Sequence, residues 1–238
     1  RKRNDTPSMK LWMVIPAAGS GRRMGSGTPK QYLRVAGATV MEHTVNRLCA
    51  VPGVSALVVA VAPDDAVAVS LPYRDYARLR FVCGGAERAD SVLAGLRALH
   101  AEAGPDDWVL VHDVARPCVG LEDIARLIDT LRDDPVGGIL ACPVRDTLKR
   151  ETAGSGRISE TVTRTGVWQA QTPQMFRYGL LSSCLTDALA AGADITDESS
   201  AVEWAGHAPR LVAGSSSNIK ITFPDDLACA GFLLEQSS

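Results

Sequence analysis

Leu11-Trp12-Met13-Val14-Ile15-Pro16 runs directly into Ala17-Ala18-Gly19-Ser20-Gly21-Arg22-Arg23-Met24, and Pro29-Lys30 follows a few residues later. The apolar run is short and ends in turn residues, which is the pattern of a buried strand rather than a helix. Glycine lets a backbone turn tightly and approach a ligand closely. Successive backbone N–H groups flanked by arginines and a lysine suit polyanionic oxygens. The expectation is a triphosphate-binding loop at the end of the first strand. A plain strand-to-helix turn with solvated arginines fits the same residues. Two common phosphate motifs do not fit. Met24 stands where the dinucleotide fingerprint needs its third glycine, and no Gly-Lys-Ser/Thr ending is present.

Composition narrows the class. The chain has 238 residues, 46% hydrophobic and 22% charged, the balance of an ordinary soluble protein. A net charge of −2 gives no global field for nucleic acid or an anionic membrane, so any anion site must be built locally. No apolar run approaches membrane-spanning length. Residues 1–8 are hydrophilic and read as an extension before a single domain over 9–238. The six cysteines are scattered, without Cys-x-x-Cys pairs or histidines at zinc spacing. Several sit in apolar segments and read as buried hydrophobes, with a reducing cytoplasm as the default setting.

Strand and helix patterns then alternate. Helical spacing is expected over Val40 to Val51, Ala89 to His100 and Leu121 to Arg132. Strands are expected at Ala56 to Val61, Phe81 to Cys83, Trp108 to Val111 and Gly138 to Val144. That order implies a mostly parallel, Rossmann-like α/β sheet with helices on both faces. The rhythm breaks near Pro143. Arg145 to Arg164 is polar, with Gly154-Ser155-Gly156 at its middle, and reads as a protruding β-hairpin arm spanning about 143–166. Val167 to Thr172 re-enters the core. Helices are expected at Tyr178 to Ala191, Ser199 to Ala205 and Pro224 to Glu235, and late strands at Arg210 to Ala213 and Asn218 to Thr222.

Ligands of open parallel sheets bind beyond the carboxyl ends of the strands. The polar clusters of this chain fall at such ends: Gly19 to Lys30, Gly84 to Ser91, His112 to Pro117, Arg145 to Thr147, and Asn218 to Lys220. Gly84-Gly85 opens a helix on that edge, where a base and ribose would sit, and is also compatible with an ordinary turn. Ser91 reads either as part of that contact or as a helix cap. Asp113 reads as a structural partner of Arg116, or as the carboxylate near which a hard cation and its phosphates are held. Lys220 lies between Ile219 and Ile221; on an alternating strand it faces the opposite side, into a cleft. His112, like His43, His100 and His207, reads as a satisfied structural histidine. No serine–histidine–aspartate arrangement stands out.

Seven motifs occur in order: Pro16-Ala17-Ala18-Gly19 with Gly21 and Arg23-Met24; Pro29-Lys30-Gln31-Tyr32; Gly84-Gly85 with Arg88 and Ser91-Val92; His112-Asp113 with Ala115-Arg116-Pro117; Asp146-Thr147 with Lys149; Thr172-Pro173-Gln174; and Asn218-Ile219-Lys220. Together they resemble the 2-C-methyl-D-erythritol 4-phosphate cytidylyltransferases, over about Leu11 to Leu234. The resemblance implies transfer of CMP from CTP to the methylerythritol phosphate, with pyrophosphate released. It implies a divalent cation, usually magnesium, held mainly by phosphates near Asp113, and a homodimer whose arm reaches over the partner's site.

Carried over by motif, Pro16, Ala17, Ala18, Gly19, Gly21, Arg23 and Lys30 hold the triphosphate. Gly84, Gly85, Arg88 and Ser91 surround cytosine and ribose. Asp113 and Arg116 line the reaction centre. Thr147, Arg164 and Thr172 meet the sugar phosphate, the first two from the partner's arm. Arg23 and Lys30 stabilise charge at the α-phosphorus, while Arg164 and Lys220 position the attacking phosphate. Val114 stands where many members of that family have alanine and Ala86 where some carry an acid; neither departure removes a charge that the mechanism needs. The competing expectations are a ribitol 5-phosphate cytidylyltransferase, a sugar-1-phosphate nucleotidyltransferase using another base, a silent nucleotide-binding module and, least supported, a redox dinucleotide enzyme.

Overall fold

The computed structural model describes residues 10–19 and 27–236. The expected 1–8 extension, Gly21 and Arg23 lie outside the described residues.

The strands are, in order, β1 (Leu11–Pro16), β2 (Arg34–Val35), β3 (Ala38–Thr39), β4 (Val54–Val61), β5 (Leu79–Cys83) and β6 (Trp108–Val111). They continue with β7 (Gly137–Pro143), β8 (Leu148–Glu151), β9 (Ile158–Val162), β10 (Trp168–Arg177) and β11 (Arg210–Ala213). The helices are α1 (Val40–Cys49), α2 (Ala66–Ser70), α3 (Arg88–Ala98), α4 (Leu121–Leu131), α5 (Tyr178–Ala190), α6 (Glu198–Trp204) and α7 (Pro224–Gln236).

Seven strands form one sheet in the order β11-β7-β10-β6-β1-β4-β5. The first strand lies inside it, parallel to both β4 and β6 and buried at all six positions. A strand covered on both faces needs apolar residues on both, which is why Leu11 to Ile15 is an unbroken apolar run. Met13 and Ile15 pack with Met41, Val45 and Leu48 of α1 and Ile124, Leu127 and Leu131 of α4. Trp12 and Val14 pack on the opposite face with Val92 and Leu96 of α3, Leu99 just beyond its end, and Leu181 and Leu185 of α5. Each fully buried aliphatic side chain contributes about 2 kcal/mol. At the start of α1, Thr39 Oγ1 accepts from the Glu42 amide at 3.1 Å and Glu42 Oε2 accepts from the Thr39 amide at 2.8 Å. This reciprocal cap satisfies two orphan donors.

Three local expectations change. The re-entering strand is longer than its Val167-to-Thr172 signal, running to Arg177, and it is antiparallel to both β6 and β7. Its return from the arm brings it into the sheet in the reverse direction. Asn218 to Thr222 is not a strand. Asn218 is fully buried, its side-chain Nδ2 donates to the Thr172 carbonyl at 2.7 Å, and the Ile221 amide donates to Ala115 O at 2.9 Å. Side-chain and isolated backbone bonds replace a ladder there. The short β2–β3 hairpin and α2 had no clear apolar period in the sequence.

Between β7 and β10, strands β8 and β9 pair antiparallel as a separate two-stranded sheet, exposed along most of its length. Gly154 and Gly156 in its turn have φ of 70° and 67°, a region that favours glycine. All six cysteines are free; Cys49, Cys118, Cys142 and Cys184 are buried, while Cys83 and Cys229 are exposed.

Candidate active site

The chain reverses its direction of growth across the sheet at β1: β4 and β5 extend one way, and β6 is laid on the other side. Ligand crevices of open α/β sheets form at such switch points, beyond the strand carboxyl ends. A cavity of about 460 Å³ lies there. Its wall includes Pro16, Ala17, Ala18, Gly19, Lys30, Gly85, Arg88, Ser91, Asp113 and Lys220. Clusters from opposite ends of the chain thus share one space.

The loop after β1 is tied from two sides. The Ala17 amide continues the ladder to Ala60 O at 2.7 Å, and Ala17 O accepts from Gln31 Nε2 at 3.0 Å. Gln31 is buried within a one-turn 3-10 helix, Lys30–Tyr32, and Tyr32 Oη donates to Asp65, which caps α2. Lys30 is therefore presented from an anchored turn, with Nζ 3.0 Å from Ile221 O. Gln31 stood in the Pro29-to-Tyr32 motif without a role of its own, because one amide beside a lysine fits any surface turn.

Gly84 and Gly85 are required by close approach. A Cβ on Gly84 would stand 2.7 Å from both Ala18 Cβ and Ser91 Oγ, and one on Gly85 would stand 2.2 Å from Asp90 Cβ. Ser91 is not the helix cap: α3 begins at Arg88, and the Ser91 hydroxyl accepts from the Gly85 amide at 3.2 Å. It shapes the glycine turn from inside the first turn of the helix.

At the centre is an alternating chain of charges. Asp113 Oδ1 accepts from Arg88 Nε at 2.8 Å, and Asp113 Oδ2 is 2.9 Å from Lys220 Nζ. Arg116 Nε is farther from the same oxygen, at 3.6 Å. Arg88 places its terminal nitrogens 2.6 and 3.0 Å from the two oxygens of Glu198. Burial alone would raise the Asp113 pKa, but the Arg88, Lys220 and Arg116 charges outweigh it and hold the carboxyl far below the usual range. Burial likewise opposes the Arg88 charge, and Glu198 and Asp113 overcome it, so its pKa is raised. The Arg116 pKa is lowered because burial dominates there. Glu198 was missed by sequence reasoning, since an acid in the first turn of a helix is generic.

Other expected residues stand behind this wall or away from it. Thr172 is buried and does not line the cavity. Its hydroxyl accepts from the Asp113 amide at 3.0 Å and lies 2.9 Å from His112 Nδ1. His112 Nε2 is 3.0 Å from Arg116 O, so that nitrogen carries the proton and Nδ1 accepts from Thr172. In this arrangement Thr172 holds Asp113 rather than offering its hydroxyl to the cavity. Arg116 also stands outside the lining and donates to Asn218 O at 2.7 Å. Thr147 and Arg164 are exposed, at the base of the β8–β9 arm, outside this chain's own cavity.

Burial lowers the His112 pKa to about 4, so the ring folds in its neutral form. A histidine that charges near pH 6.5 when unfolded then favours the unfolded chain in acid. The penalty is absent above about pH 6.5 and grows to about 3 kcal/mol as pH falls toward 4. The expected result is a urea midpoint that falls over that interval and falls much less in His112→Gln. Parallel pH profiles for the two proteins would contradict it.

Among the described residues no three histidine, cysteine, aspartate or glutamate groups converge as a metal site. Asp113 already holds a cation at each oxygen. The described residues therefore offer no cage of their own for a divalent ion.

The arrangement is a cationic pocket with a glycine-bounded slot beside it, suited to joining two phosphates whose main obstacle is mutual repulsion. Known proteins point the same way. The chain matches the family model described as IspD, 2-C-methyl-D-erythritol 4-phosphate cytidylyltransferase, over residues 11–236. It is 55% identical over 222 residues to the 2-C-methyl-D-erythritol 4-phosphate cytidylyltransferase of Ectopseudomonas mendocina (strain ymp), covering 93% of this chain and 94% of that one. The protein of that name from Escherichia coli O1:K1 / APEC is 50% identical over 232 residues, covering 98% and 97%. A crystal structure of 4-diphosphocytidyl-2C-methyl-D-erythritol synthase superposes with a TM-score of 0.82 at 41% identity, covering 95% of this chain and 98% of that one. The cytidylyltransferase structure from Thermus thermophilus gives 0.78 at 31% identity, covering 95% and 100%. The chain belongs to the 2-C-methyl-D-erythritol 4-phosphate cytidylyltransferase family, enzymes that transfer CMP from CTP to that sugar phosphate and release pyrophosphate.

Proposed function

We propose that the switch-point cavity is where this transfer takes place, that its acceptor side is completed by the arm of a second copy, and that the residues divide as follows. The Pro16-to-Gly19 backbone and Lys30 cradle the triphosphate, a role that the family motif also gives to Gly21 and Arg23. Gly84, Gly85, Arg88 and Ser91 form the slot for cytosine and ribose. Lys220 faces the acceptor phosphate, and Asp113 with Arg116 orders the cations between the two substrates.

The chemistry needs no general base, because the attacking group is an acceptor phosphate oxygen that is already an anion. That oxygen forms a bond to the α-phosphorus, the bond from the α-phosphorus to the bridging oxygen breaks, and pyrophosphate leaves with the electron pair. The protein contributes position and preorganised positive charge. A divalent cation, magnesium in the first instance, would be held mainly by the nucleotide's phosphates near Asp113, and the chemistry it would supply there is neutralisation of part of their charge. The reading places the enzyme in the cytoplasm as one nucleotidyltransferase domain; among the described residues no helix is long and apolar enough to cross a membrane.

The observation that carries the shared site is the position of Thr147 and Arg164, at the base of an exposed two-stranded arm and absent from the cavity of their own chain. A mixing experiment tests it. Arg164→Ala and Lys30→Ala are each expected to be nearly inactive alone. After subunit exchange, a mixed dimer keeps one intact site, so about a quarter of wild-type turnover returns, since half of the dimers are mixed. No recovery, with exchange verified by mass-tagged subunits, would place Arg164 in its own chain's site or outside the site altogether.

A further inference from the structure

Glu198 is only 1% exposed and does not line the cavity, yet both of its oxygens are bonded to the guanidinium of Arg88, which does. We infer that Glu198 is a positioning residue: through Arg88 it keeps the Asp113 carboxylate shared between Arg88 and Lys220, and so sets where the Lys220 ammonium meets the acceptor phosphate. The inference rests on the reading of Lys220 as an acceptor-side residue.

The argument follows from guanidinium geometry. A planar fork prefers to grip a carboxylate with two parallel bonds. Glu198 takes that grip through the two terminal nitrogens, leaving Nε for a single bond to Asp113 Oδ1. Asp113 Oδ2 thereby stays available to Lys220, at 2.9 Å. Without the Glu198 charge, the fork turns to the nearest remaining carboxylate, which is Asp113, and competes with a singly bonded ammonium. Lys220, whose side chain is 37% exposed, then loses its anchor and moves into solvent. The charge balance agrees. Arg88, Arg116 and Lys220 face two carboxylates in this cluster, and losing one leaves three cations around Asp113 alone.

Glu198 is itself placed by β10. Gln174 Oε1 accepts from the Ser199 amide at 2.8 Å, and Gln174 Nε2 donates to Asp197 Oδ2 at 2.8 Å. Two residues earlier on that strand, Thr172 holds the Asp113 amide. Both carboxylates that grip Arg88 therefore hang on one strand. Stability alone does not call for this pair, because a buried ion pair gives little net stabilisation relative to packed apolar side chains.

The test is a double-mutant cycle of Glu198→Gln with Lys220→Ala, read as kcat/KM for 2-C-methyl-D-erythritol 4-phosphate at saturating CTP. Glu198→Gln is expected to lose about tenfold alone and less than about twofold once Lys220 is already alanine. Losses that multiply in the double variant overturn the inference, because a merely structural Glu198 would act regardless of Lys220. A Lys220→Ala enzyme with unchanged acceptor kcat/KM instead removes the acceptor-side reading of Lys220. Should Glu198→Gln fail to fold, Arg88→Met with Glu198→Met removes the clamp together with the fork that would compete for Asp113, so Lys220→Ala is then expected to cost as much as it does in wild type, and a Lys220→Ala loss that disappears in that background overturns the inference.

Discussion

Lys30→Ala is expected to lose at least about a hundredfold in kcat, or about 2.7 kcal/mol of transition-state stabilisation, while remaining folded. Lys30 lines the cavity from a turn whose anchors are other side chains: Gln31 on Ala17 O and Tyr32 on Asp65. Those anchors survive the substitution. What goes is a cation close to the Lys220 segment, its Nζ 3.0 Å from Ile221 O. In a reaction limited by repulsion between anions, a charge held in place costs no reorganisation when negative charge builds on the leaving pyrophosphate. Pyrophosphate release, measured with both substrates saturating, reads the loss; an unchanged thermal midpoint shows that it is chemical. Turnover within about threefold of wild type would remove Lys30 from the reacting centre.

Asp113→Asn is expected to be the most damaging single change, in stability and in rate together. Asp113 is 6% exposed and lies among Arg88, Lys220 and Arg116. Removing one partner of a buried ion cluster leaves charge uncompensated, at a cost of about 3 kcal/mol. Turnover falls by about a hundredfold as the cations lose their common reference point. The lost stability returns in part on adding pyrophosphate with magnesium, because a polyanion that binds only the folded state raises its stability by mass action. Urea midpoints with and without pyrophosphate provide the measurement. An unchanged midpoint in Asp113→Asn would mean that the cluster is not what holds these elements together.

Acid titration separates the two central titrating groups. The folded pKa of Asp113 lies far below its unfolded value near 4. Its contribution is therefore complete above about pH 4 and is lost as pH falls from there toward the folded value. The decline between about pH 6.5 and 4 belongs to His112, whose folded pKa lies below its unfolded one.

Much of the site was legible before any coordinates. Gly19, Lys30, Gly85, Arg88, Ser91, Asp113 and Lys220 were expected on one sheet edge, and all line one cavity. Lys220 reaches it by a route other than strand alternation, since its segment is not a strand; the fold delivers it through the buried Asn218 and the Ile221-to-Ala115 bond. Thr172 shows how tertiary partners qualify a motif. Its motif was visible, but its hydroxyl is taken by Asp113 and His112. Glu198 was invisible, and Gln31 was seen in its motif without a role, because a lone acid or amide has no meaning until its partner is known.

The sequence by itself determined the alternating strands and helices, the buried first strand, the glycine-bounded turns and the cation-rich loop ends. These follow from periodicity and backbone freedom, which act over a few residues. The tertiary structure alone decided that β10 runs antiparallel and that Arg88 meets a carboxylate 110 positions away. It also decided that the loop opened by Ala17 is tied down by Gln31. Charge pairing of this kind depends on distance in space, and local pattern carries no record of which strand end a distant side chain will reach.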